Sequence, residues 1–75
     1  MLVVGKSVIF RGGQHYLVST VALPMTILGH DFETMVFPCS AEGEVSSWSD
    51  LHCERYSTGG AAETGHFRTV ETFQP

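Results

Sequence analysis

Basic side chains are scarce in this sequence: four Lys or Arg stand against eight Asp or Glu, a formal charge of −4 at neutral pH with the histidines neutral. A nucleic-acid groove needs a positive stripe to displace counterions from phosphates, so no nucleic-acid partner is expected. An acidic balance keeps a small protein in solution and is compatible with a basic protein partner. Cysteine is equally sparse. Cys39 and Cys53 are the two in the chain, and they lack the Cys-x-x-Cys spacing from which structural zinc sites are usually built. The start of the chain, Met1-Leu2-Val3-Val4-Gly5-Lys6, has no basic flank followed by a long apolar run of the secretory kind. A reduced, cytosolic setting with free thiols and no cofactor is therefore expected. No apolar run approaches the ~20 residues of a membrane span, so no membrane partner is expected either. Internal repeats, heptads and low-complexity tracts are absent.

With 75 residues the chain has room for a single domain, residues 1–75. A domain of that size buries only about 60% of its extended-chain surface, and without a staple it gains from a partner.

What is present centres on Phe32-Glu33-Thr34-Met35-Val36-Phe37, a run of β-branched and aromatic residues with no turn former inside it, closed by Pro38. Alternation puts Phe32, Thr34 and Val36 on one face and Glu33, Met35 and Phe37 on the other. Both faces are mostly apolar, so both should be covered, the second by another layer or another chain.

Leu2 to Phe10 reads as a first strand, and Arg11-Gly12-Gly13-Gln14 as a tight turn. His15 to Ala22 is the second strand; its two faces differ little in polarity, so periodicity does not say which turns inward. Pro24 should end that strand or mark a bulge. Met25 to Leu28 is then a short extension or a buried loop, leading to a turn at Gly29-His30-Asp31. Cys39 to Asp50 is the one long polar loop, interrupted by Trp48, which is expected to fold back onto the core because it buries so much apolar area. Leu51 to Tyr56 reads as a fourth strand. Ser57 or Thr58 can cap a helix running to Phe73, with Ala62, His66, Val70 and Phe73 on one stripe and Phe67 at its margin. Gly59, Gly60 and Gly65 each weaken that helix by about 1 kcal/mol, so it should form only when docked. Strands followed by a helix predict an α+β domain: an antiparallel sheet of about four strands with one C-terminal helix on one face.

Chemistry-bearing constellations are thin. Cys39 and Cys53 with His52 and His66 form the one zinc set that can be sketched. A catalytic reading would use Glu33, Asp31 or His66 as acid or base near Cys53, in a sheet with little depth for a pocket. Glu33, flanked by apolar residues, should pair with Arg55 or Arg11. Gly12-Gly13 lacks the Lys-Ser/Thr ending and the helix of a phosphate loop, and is read as the hairpin turn. A contact surface would be built from Trp48, Arg55, Tyr56, Glu33 and His66.

Four ordered blocks, Val18-Ser19-Thr20-Val21, Phe32-Glu33-Thr34-Met35-Val36-Phe37, Glu54-Arg55-Tyr56-Ser57-Thr58, and Ala62 with Gly65-His66, together resemble a family of small bacteriophage proteins of unknown function. Members pair a Ser-Thr-Val strand with a Phe-Glu-Thr-Met-Val-Phe strand, then carry Arg-Tyr-Ser-Thr into a helix with Gly-His. The resemblance spans residues 18 to 66. The chain departs from it at Gly59-Gly60, where relatives have acidic helix formers and a longer charged helix, and at Pro24 to Leu28, where they have a Leu-Gly-Leu-Asp-His connection. The family carries no established activity, so it supplies no catalytic residue. It implies a phage-encoded, non-catalytic accessory protein in the host cell cytoplasm, modulating or inhibiting a host bacterial protein by occupying its surface, a component of host defence or metabolism. The alternative is a small ligand-binding or metal-binding protein with its site at a dimer interface. A homodimer is expected in either case, because one helix covers one sheet face and leaves the other apolar.

Overall fold

A computed structural model describes residues 2–74. Four strands, β1 (Leu2–Arg11), β2 (Gln14–Ile27), β3 (His30–Cys39) and β4 (His52–Tyr56), precede a helix, α1 (Gly59–Phe73). The strands lie in the order β1-β2-β3-β4, every neighbouring pair antiparallel. This is the four-stranded α+β arrangement the sequence predicts, with the helix packed on one face of the sheet.

Two strand ends need comment. Of the two readings of Pro24, the bulge holds and not the strand end: pairing with β3 breaks between Ala22 and Ile27 and resumes at Ile27 opposite His30, so Met25 to Ile27 is a strand extension. The extension projects beyond the core, leaving Met25 and Leu28 exposed instead of buried. Its turn is Leu28-Gly29, and positive φ angles of 51° and 79° give it the twist that a two-residue hairpin turn needs. β3 also runs through Pro38. β4 pairs only as far as His52 opposite Val36, so past Val36 that side of β3 is an edge and a proline there interrupts no ladder. The Pro38 carbonyl accepts instead from the Ser46 amide at 3.0 Å.

Helix α1 begins at Thr58, whose hydroxyl accepts from the Ala61 amide at 3.1 Å. Its inward stripe is Ala62, Gly65, His66 and Thr69, all buried, with Val70 and Phe73 half-buried and Phe67 exposed. Register decides which sheet face receives it. Val18 stands opposite Val36 and Thr20 opposite Thr34, and all four are fully buried. The inward face is therefore that of Thr34 and Val36, shared with Ser7, Ile9, Tyr16, His52, Glu54 and Tyr56. Small residues permit the close approach. A Cβ on Gly65 would overlap the Tyr56 hydroxyl, and one on Gly5 would fall 3.0 Å from the His66 ring.

The loop between β3 and β4 covers part of the opposite face. Ser40 ties its start, accepting on Oγ from the Glu42 and Glu44 amides, and Val45 bridges to Cys39. Leu17, Phe37 and Cys39 are buried on this side. Trp48 does not bury itself: its ring meets Phe37 edge-on at 5.2 Å but stays 75% exposed. The expectation that it folds into the core is corrected: the ring rests edge-on against Phe37 at the rim of the far face and stays open to solvent.

Candidate functional site

The sheet separates the residues singled out in the sequence. Glu33 and Arg55 lie on the far face with Trp48 above it, whereas Tyr56 and His66 lie under the helix. The sketched zinc set is divided in the same way, with Cys39 and Cys53 on the far face and His52 and His66 on the helix side. Among the described residues no group of three His, Cys, Asp or Glu side chains is placed to hold a metal ion. Both cysteines are free thiols. Burial pushes the Cys39 thiol up, and burial followed by the nearby Glu33 carboxylate does the same for Cys53, so neither is primed as a nucleophile.

Under the helix runs a polar chain that sequence reasoning missed. Ser7 Oγ lies 2.9 Å from His66 Nε2, and Thr20 Oγ1 lies 2.7 Å from His66 Nδ1 and 2.5 Å from Thr34 Oγ1. Beyond Thr34, the Tyr56 hydroxyl donates to Glu54 Oε1 at 2.6 Å, and Arg68 donates to the same oxygen at 2.7 Å. Burial lowers the His66 pKa and keeps the imidazole neutral. The Tyr56 phenol is raised, first by burial and then by its bond to Glu54, while the Thr34 hydroxyl acts the other way. Glu54 is held below the usual carboxylate range, mainly by the Tyr56 hydroxyl and further by Arg68, against opposing burial.

A cavity of about 250 Å³ opens beside His66 and Ser7, so the pair has the outline of a base with a nucleophile. The outline is incomplete. The ring's other nitrogen meets the Thr20 hydroxyl, and among the described residues no carboxylate bonds to either nitrogen, so the orienting third group of a triad is missing. What the arrangement does is fasten the helix to β1 and β2 through one neutral ring. The neighbouring His52 contributes less: its Nε2 is buried without a partner and its ring packs edge-on against Phe73 at 5.8 Å.

The far face holds the second candidate. Ser19 and Val21 from β2, Glu33, Met35 and Phe37 from β3, and Trp48 from the loop surround a groove of about 210 Å³. Arg55 Nε donates to Glu33 Oε2 at 2.9 Å, the pairing expected from the sequence, and Cys53 Sγ lies 3.7 Å from the same oxygen. Arg11, the other partner considered for Glu33, instead donates to the Thr72 carbonyl at 3.2 Å. At the β1 side of this face Val8 and Phe10 stay exposed, Phe10 by 53%. Among the described residues no helix is long and apolar enough to cross a membrane. No protein-family model matches the chain, nor does any curated protein or solved structure.

Proposed function

We propose that the protein is a non-catalytic binding module that docks a protein partner on the sheet face opposite its helix. One observation carries this reading: Trp48 stands 75% exposed beside the groove, held on the buried Phe37 ring. A large apolar ring fixed at low entropy cost beside a groove is the usual form of an interface anchor. The polar groups around His66 are bonded to one another and leave little free for chemistry. The bacteriophage resemblance makes the partner a host bacterial protein, whose surface the module occupies in the host cytoplasm. Capture from a host lysate on immobilised protein tests the reading. A stoichiometric partner retained by wild type and lost with Trp48→Ser supports it, and a partner retained equally by that variant refutes it.

A second occupant of the same face is favoured by Val8 and Phe10, which extend the apolar surface past the loop toward β1. Two copies joined there by a twofold axis would cover what one loop leaves open. Light scattering at micromolar concentration reads the mass: two chains support self-association, and one chain leaves the face free for the host protein.

A further inference from the structure

We propose that the groove beside Trp48 takes a basic side chain, a lysine ammonium or an arginine guanidinium, presented by the protein partner; this rests on the binding-module reading and names the chemistry of its anchor. Among the described residues Glu33 is the one charged residue lining the groove, and its side chain is largely buried there. Both contacts to its carboxylate, from Arg55 and Cys53, fall on Oε2. Among the described residues Oε1 takes no hydrogen bond, and it is not fully buried, so it can accept a donor from outside. A carboxylate in such surroundings gains more from a cation than one in water does.

The rest of the groove suits the same guest. Trp48 and Phe37 present aromatic rings, which attract a cation held within about 6 Å of their centres. Val21 and Met35 line the groove with apolar surface against which the alkyl stem of a lysine or arginine can lie. Among the described residues two cations share this face, Lys6 opposite Ser19 on β1 and Arg55 opposite Glu33 on β4. Arg55 is engaged on Oε2, and Lys6 does not line the groove. The loop carrying Trp48 adds exposed Glu44 and Asp50, and the chain as a whole is acidic at −4, so a basic partner approaches down a favourable potential.

Trp48 is the only tryptophan in the chain, and its emission reports on the groove directly. The full chain is titrated with Nα-acetyl-lysine methylamide and, separately, with the norleucine analogue, which keeps the stem and lacks the charge. The expected result is a saturable change with the lysine amide and binding roughly tenfold weaker for norleucine, a difference of about 1.4 kcal/mol. Glu33→Gln should abolish that preference. Arg55→Gln, which releases Oε2, should strengthen lysine binding, and it decides the matter if Glu33→Gln fails to fold. Equal binding of the two amides overturns the inference and leaves the face a binding surface. No response to either amide also overturns it, and partner capture by wild type against Trp48→Ser then decides the binding-module reading separately.

Discussion

Beneath the helix the sheet presents Ser7, Thr20, Thr34, Glu54 and Tyr56, whereas on the far face it presents Val21, Met35, Phe37 and a largely buried Glu33 beside an exposed Trp48. Both faces mix polar and apolar residues, and the core of Ile9, Val18 and Val36 lies with the hydroxyls on the helix side; what differs is that the helix seals one face while the loop leaves part of the other open. The Ser7, Thr20 and Thr34 hydroxyls and the His66 imidazole bond one another, and the Tyr56 phenol bonds Glu54, which lets them be buried at little cost, while His52 Nε2 on the same face stays unpaired. The far face has the opposite history: its loop reaches Leu17, Phe37 and Cys39 and leaves a groove beyond them uncovered. Polar residues drawn together are thus evidence of packing here, and apolar residues left apart are evidence of contact.

The contrast breaks most severely at Gly65. Replacing glycine by alanine inside a helix ordinarily stabilises by about 1 kcal/mol, but the new methyl would overlap the Tyr56 hydroxyl. Gly65→Ala should therefore destabilise by about 3 kcal/mol, seen in urea unfolding; a gain in stability would show that the helix does not lie so close. Thr20→Val comes next. It removes the hydroxyl that joins His66 to Thr34 and leaves a buried ring nitrogen unpaired, with an expected loss of roughly 1 to 2 kcal/mol. A neutral effect would mean that the hydroxyl chain is incidental to the sealed face.

Acid should weaken the same face. The folded pKa of His66 is depressed by burial, so between the unfolded value near 6.5 and the lower folded value the unfolded chain binds the extra proton. The stability due to neutral His66 is complete above that window and declines as pH falls through it. Melting temperature should drop on acidification below about pH 6.5, with a shallower slope in His66→Gln. His15, His30 and His52 remain in both proteins, so the difference between the curves isolates His66. Parallel curves would place His66 in contact with water. The smallest effect is expected on the open face, where Trp48→Ser should change the unfolding free energy by no more than about 0.5 kcal/mol. A loss of several kcal/mol would make Trp48 a structural residue and close the contrast from the other side.

Much of the architecture was legible in the chain. Gly12-Gly13 marked the first hairpin, the run from Phe32 to Phe37 marked a central strand, and Ser57 or Thr58 marked the helix start, of which the structure uses Thr58, because each is a local preference that neighbours alone can express. The pairing of Glu33 with Arg55 was also within reach, as one carboxylate in an apolar strand needs a cation and few were available. The hydroxyl chain through His66 was not legible. Thr20, Thr34 and Ser7 read as ordinary strand residues, and only strand register sets them around one imidazole.

The sequence by itself determined the order of elements, four strands and then a helix, through turn formers, β-branched runs and a cap, all of which act over a few residues. Which face of the sheet turned inward was decided by tertiary structure alone. Alternation left the two faces of β2 and β3 nearly equal in polarity, so the choice fell to shape: Ala62, Gly65 and His66 on the helix match a surface of Val, Thr and Tyr56, with glycine at the points of closest approach. The exposure of Trp48 follows from the same choice. Once the helix had taken the other face, a twelve-residue stretch from Ser40 to Leu51 could bury part of the far side and had no further surface with which to cover its own tryptophan.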